Sequence, residues 1–394
     1  MVSAGRRRPS VPHAAARPSA ISRPYRKAAP SSCAIDTTGM ARVEFDGLVE
    51  RRWDTRVGTI DLQIPKLRDG TYFPSLLEPR RRAERALLAV VQEAYVGGVS
   101  TRRVEELVGA LGIVNLSRSE VSRICAGLDA EVDAFRSRPL DPTGHPYVSL
   151  DALYHKVREG GRVVSMATLI AIGISATGER TVLGVDVAAA GGDEGAHWLP
   201  SLRSLTARGL TGVRLVISDA HPGLVAAAEA TFLGAAWQRC RVHATRNALG
   251  LVAKAAQGMV ASAIRMVIEQ PDGMSAREQL DRVIDGLRPR FPAVAELLTR
   301  AEAGLLAHFA FPESHRRQIR STNPLERLNK EIKRRTAVVG IFPTRASVIR
   351  LVGMILAEQD DEWQDGRRYF RPETLALIDA EPNVEEVVPL LMAS

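Results

Sequence analysis

Cysteine is scarce: Cys33, Cys125 and Cys240 are the only three in 394 residues. So sparse and odd a set excludes a disulfide framework and suits a reducing compartment. Only Cys240-x-x-His243 suggests zinc, and no second ligand pair at finger-like spacing accompanies it, which argues against a four-ligand structural site. No uninterrupted apolar run reaches the roughly 18 residues of a membrane span, and the basic first residues lack the apolar core of a secretory signal. No membrane partner is expected, and the location expected is cytoplasmic. Aromatic residues contribute 5% within a hydrophobic total of 45%, an ordinary balance for a globular protein of two or three domains.

Negative charge is in deficit, with a formal net charge of +8, which points to a polyanionic partner. Two segments carry the excess. Residues 1–40 hold seven Lys/Arg against Asp36, and residues 316–335 hold eight against Glu326 and Glu331. The first segment is rich in Ala, Pro, Ser and Arg without periodicity, so a disordered basic tail is expected there, with Met40 as a candidate true start. Residues 41–79 alternate in short strands broken by Pro and Gly.

From residue 80 to 140 the apolar period becomes helical. Helices are predicted over Arg81–Tyr95, Ser100–Leu111 and Ser117–Leu128, the last opening on a capping-box spacing at Ser117 and Glu120. In a basic protein this succession suggests a helix-turn-helix, with Ser119, Ser122 and Arg123 toward DNA and Val121, Ile124 and Leu128 packed inward. A plain three-helix packing unit is the alternative.

The stretch Tyr147–Tyr154 alternates as a strand, with Val148, Leu150 and Ala152 on one face and Ser149 and Asp151 on the other. A carboxylate amid such neighbours needs a counter-ion, a hydrogen-bond network or an exposed edge. Asp219 ends the apolar run Val213–Ser218, and carboxyl ends of strands are where α/β sheets place ligands. Glu326 lies in a third segment, where Asn323 as N-cap and Pro324 as first residue start a helix. Its inward stripe is Leu325, Leu328 and Ile332, leaving Glu326, Asn329, Lys330 and Lys333 on a neighbouring face. The element order over residues 141–246 is β β β α β α β, which implies a mixed sheet with helices on both sides. Trp237–Val242 is the last of these strands, residues 247–315 are almost wholly helical, and residues 316–394 return to the sheet domain.

The segments Asp151-Ala152-Leu153-Tyr154, Ile217-Ser218-Asp219-Ala220-His221, Cys240-Arg241-Val242-His243 and Ser321–Asn329 together resemble the Mutator-like transposases of bacterial insertion sequences, over about Arg51–Trp363. The resemblance implies an α/β, ribonuclease-H-like core interrupted by an all-helical insertion, with Asp151, Asp219 and Glu326 as a catalytic, metal-binding triad. It also marks Cys240 and His243 as structural residues near the active site. Implied with it are two Mg²⁺ or Mn²⁺ ions and double-stranded DNA as partner, both the element's terminal inverted repeats and target DNA. A homodimer or larger assembly on DNA is also expected, bringing the protein to the nucleoid. Asn329, Lys330, Lys333 and Arg334 are expected at the phosphate backbone. In that family a further helical segment usually precedes the stretch matching Trp53–Arg56, so a copy shortened at its start is expected. A hydrolysis-only nuclease of the same fold and a catalytically inactive DNA-binding derivative are the alternatives.

Overall fold

The computed structural model describes residues 45–55, 58–67, 79–110, 118–190 and 194–380. The basic tail, Met40 and Ser117 of the expected capping box lie outside these residues. Two units are distinguished, residues 1–78 and 79–394. In the first, β1 (Phe45–Thr55) and β2 (Gly58–Leu67) pair antiparallel, longer than the short strands the Pro and Gly suggested.

The second unit opens with α1 (Pro79–Val96), α2 (Thr101–Ala110), α3 (Arg118–Ala126) and α4 (Asp129–Ser137), the last unforeseen. Three long strands follow: β3 (Tyr147–Glu159), β4 (Arg162–Ile174) and β5 (Arg180–Ala189). Gly160 and Gly161 join the first two with φ of 55° and 77°. Two positive φ values in a two-residue loop are what a type I′ turn demands, and glycine adopts them without strain. Then come α5 (Glu194–Ala207), β6 (Leu215–Ser218), α6 (Pro222–Thr231) and β7 (Ala236–Arg239). The five strands form one mixed sheet in the order β5-β4-β3-β6-β7, antiparallel on one side of β3 and parallel on the other.

Alternation along β3 sends its side chains into two cores. Val148 and Leu150 join Trp198, Leu202 and Leu224 under α5 and α6. Leu153 and Val157 face the other way, into a core shared with α12 (Asn323–Thr336) and α13 (Arg345–Gln364). Val91, Tyr95, Val104, Val121 and Leu128 belong to that same core, so the N-terminal helices pack on the sheet unit. The fully buried aliphatic chains among them, Val91, Val104 and Val121, each contribute about 1.5–3 kcal/mol. Arg350 clamps α13 to α4 through a two-pronged pair with Asp129 at 2.6 and 2.8 Å.

Between β7 and α12 lie α7 (Arg241–Gly250), α8 (Lys254–Ile268), α9 (Gly273–Leu287), α10 (Pro292–Leu306) and α11 (Glu313–Ile319). The first four bury an aliphatic core of their own, Val260, Ile264, Leu280, Ile284 and Leu298 among its members. The predicted strand Trp237–Val242 is corrected here: it ends at Arg239, and Arg241 already begins a helix. Four residues of alternation are too few to mark such a boundary from sequence.

Candidate active site

β3 and β6 pair in parallel, with Tyr147 opposite Leu215, Val148 opposite Val216 and Ser149 opposite Ile217. Each pair is offset by 68 positions, and the same offset separates Asp151 from Asp219. Carrying the register two residues on therefore brings the two carboxylates to neighbouring positions, Asp219 just past the end of β6. A hydrogen-bonded chain shapes that end: Trp237 Nε1 donates to Ser218 Oγ at 2.9 Å, and Ser218 Oγ donates to the Asp219 carbonyl at 2.7 Å.

Asp151 is buried, with 8% of its surface exposed. Its Oδ1 accepts the Ala152 N–H at 2.9 Å and its Oδ2 accepts Asn329 Nδ2 at 2.6 Å. Burial pushes its carboxyl above the ordinary range, against the opposing pull of His243, and the Asp219 carboxylate adds to the rise while Lys333 resists it. These influences place His243, Asp219 and Lys333 about the same carboxylate.

Glu326 stands in the first turn of α12, where its N–H donates to the Thr322 carbonyl at 2.9 Å. Thr322, rather than Asn323, is the N-cap, and no side-chain cap bond forms; Glu326 therefore completes no capping box. Its Oε1 is buried without a hydrogen-bond partner, as is His243 Nδ1. The ligating atoms of Cys240, His243 and Glu326 all lie within 4.8 Å of one another, the one such group of three among the described residues. Asp151 and Asp219 fall outside that group, so the structure brings Glu326 to the Cys240-x-x-His243 pair. His243 links the halves. Its imidazole is held above its usual range chiefly by the Cys240 sulfur, with Asp151 and Asp219 contributing.

Cys240 is fully buried. Its sulfur accepts the Thr322 N–H at 3.4 Å and the Thr322 hydroxyl at 3.3 Å, tying the corner between β7 and α7 to the start of α12. Burial alone would push the thiol up; the influence of His243 and the hydrogen bonds from Thr322 outweigh it and bring the thiol below its ordinary value.

Asn329 was placed by its sequence on a face toward DNA, and the structure differs: it is 6% exposed and turned toward Asp151. The spacing held the reason, because Asn329 is four residues after Leu325 and three before Ile332, on the buried stripe itself. Lys330 and Lys333 are exposed, and no ion pair among the described residues includes either. Arg334 instead makes a two-pronged pair with Glu331 at 2.7 and 2.8 Å, and Arg335 also binds Glu331. On α3, Ser119, Ser122 and Arg123 are exposed while Val121 is buried, as is Leu128 just past its end. Sequence reasoning missed the Asn329 and Thr322 contacts, and it also missed the buried, unpartnered Nε atoms of Arg239, Arg241 and Arg320.

A mixed sheet with one aspartate on its central strand and another just past the end of the neighbouring strand, beside a basic helix carrying a glutamate, occurs here in a chain that belongs to the Mutator family of transposases; the family pattern matches residues 32–366. The chain is similar to the transposase for insertion sequence element IS1081 of Mycobacterium tuberculosis (strain ATCC 25618 / H37Rv), 54% identical over 331 residues, 84% of this chain and 79% of that protein. It is also similar to the transposase for insertion sequence element IS406 of Burkholderia multivorans, 43% identical over 319 residues, 80% of this chain and 81% of that one. The transposase for insertion sequence element IS256 in transposon Tn4001 of Staphylococcus aureus is 37% identical over 328 residues, 82% of this chain and 83% of its own. No helix among the described residues is long and apolar enough to cross a membrane.

Proposed function

We propose that this chain binds the ends of an insertion sequence and cuts and joins DNA strands through Asp151, Asp219 and Glu326, with two divalent cations, Mg²⁺ or Mn²⁺. The observation that carries the reading is the shared register of Asp151 and Asp219, with Glu326 delivered by α12 to the same neighbourhood. The donor set fits such ions. Carboxylate oxygens are what hard cations take, and Glu326 Oε1, buried without a partner, is an oxygen that a cation would satisfy. When bound, the cations activate the attacking oxygen and stabilise the leaving one.

The remaining work falls to the chain. Asn329 fixes the Asp151 carboxylate in one rotamer, and Thr322 with Cys240 fixes the start of the Glu326 helix. Lys333 offsets negative charge at Asp151, and with Lys330 offers cations to a phosphate backbone. The exposed face of α3 bearing Ser119, Ser122 and Arg123 is the surface we assign to end recognition, in helix-turn-helix fashion. Two ends must be joined in one event, so the acting species is a dimer or larger assembly on DNA.

The test is incubation with labelled DNA carrying the gene's own flanks and Mg²⁺ or Mn²⁺. Cleaved ends joined to a second DNA support the reading. Cleavage without joined products would favour a nuclease, and binding without cleavage an inactive DNA-binding derivative.

A further inference from the structure

Three arginines around the join of β7 and α7 carry unfilled donors. Arg239 ends β7, Arg241 begins α7 and Arg320 follows α11. The backbone N–H of Arg241 donates to the Arg320 carbonyl at 3.1 Å, which holds the two residues together. The Nε of each of the three is buried and has no hydrogen-bond partner, and none of the three enters an ion pair among the described residues. Burial lowers the Arg320 guanidinium, repulsion by Arg241 adds to this, and Glu269 offsets only part of it. For Arg239 burial acts in the same direction and Asp219 against it, which sets Arg239 beside the candidate site.

Arg241 also lines a groove of about 640 Å³ between α7 and α8, shared with Arg246 and Arg265, both exposed, and with Thr245 and Gln257. Buried guanidinium donors without partners are costly, and an anion at the half-buried fork completes them. The guanidinium fork matches phosphate in particular. A row of such forks along a groove is the arrangement a phosphodiester backbone fits.

We propose that this groove carries the DNA backbone away from the candidate active site. Arg239, Arg241 and Arg320 would take phosphates near Asp219, and Arg246 and Arg265 would take those farther along α7 and α8. The helical insertion is then a DNA-holding element as well as a packing unit. This inference rests on the transposase reading for the identity of its ligand.

The test uses the full chain bearing Asp151→Asn as parent, so that binding is read in EDTA with the proposed chemistry removed. The probe is a labelled duplex carrying the gene's own flanks. Arg246→Glu with Arg265→Glu is expected to weaken binding on the order of tenfold at about 0.1 M salt and to flatten the slope of log affinity against log salt by about two. Both positions are exposed, so thermal unfolding should be unaltered. Arg282→Glu with Arg300→Glu, an equal charge change on α9 and α10, should leave affinity near the parent's. Parent-like affinity and slope in the groove variant would overturn the inference, as would an equal loss in the control pair. A groove-specific loss together with no cleavage by the native protein would sink the proposed chemistry and leave the groove standing. Joined products from the native protein with an unaffected groove variant would sink the groove alone.

Discussion

Asn329 Nδ2 donates to Asp151 Oδ2 across 2.6 Å, although 178 positions separate the two residues. The bond links the middle of the central strand to the second turn of the glutamate-bearing helix. It makes Asn329 a positioning residue: it touches a carboxylate we assign to chemistry, and it determines which way that carboxylate points.

Replacing Asn329 by Ala should leave Asp151 Oδ2 buried without its donor, at a cost of about 1–3 kcal/mol in folding stability. Asn329→Asp should cost more, because it sets a second carboxylate against the first. Urea denaturation checks both. Strand cleavage should fall in each while DNA affinity in EDTA stays near native, since Asn329 is buried.

Asp151 should make stability depend on pH with a definite sign. Its folded-state carboxyl is raised by burial, so the native state holds its proton where the unfolded chain has released it. The stabilisation from that proton is fully present below the ordinary carboxylate range and is lost as pH rises through the raised value. Metal-free Asp151→Asn should accordingly be the more stable protein, by ~0.5–2 kcal/mol near pH 7. The gap should widen as pH rises from the ordinary carboxylate range through the raised value. Melting curves in EDTA across that range would refute this if the variant were the less stable protein at every pH.

Divalent ions should reverse that order. A ligand that binds only the folded state stabilises it by mass action, about 2.7 kcal/mol at a hundredfold excess over its dissociation constant. Addition of Mn²⁺ should raise the melting temperature of the native protein and leave that of Asp151→Asn nearly unmoved. Equal shifts in both would place the ion elsewhere.

Cys240→Ala should strand both the N–H and the hydroxyl of Thr322, a fully buried residue, and cost about 1–3 kcal/mol or more. Cys240→Ser keeps an acceptor there and should cost less. If the sulfur positions the Glu326 helix, cleavage should follow the same ranking; identical rates in both variants would limit Cys240 to packing.

Much of the sheet was legible because alternation is a local property. Val148, Leu150 and Asp151 sort to opposite faces by period alone, and the order of strands and helices from Tyr147 to Arg239 follows from runs that turns delimit. Even the register was latent, since the 68 positions between Asp151 and Asp219 equal the offset of the β3 and β6 pairing. What escaped depends on partners distant in the chain. Asn329 carries a polar side chain on an apolar stripe, and its bond to Asp151 is invisible until the sheet supplies that carboxylate. The Cys240 contact with Thr322 spans 82 positions. The end of β7 at Arg239 is decided by the carbonyl of Arg320, which captures the N–H of Arg241 as the helix begins. The N-cap of α12 falls one residue earlier than Asn323 suggested, on a Thr322 held by Cys240 rather than by its own helix.

The central claim is that Asp151 ligates an ion on which strand cleavage depends. Its most direct test is the cleavage rate of Asp151→Asn against the native protein, on labelled DNA carrying the gene's own flanks in Mg²⁺, with DNA binding measured alongside. Asparagine keeps the shape and removes the charge, so native-like binding with cleavage abolished is the predicted result. Cleavage by the variant at the native rate would contradict the account.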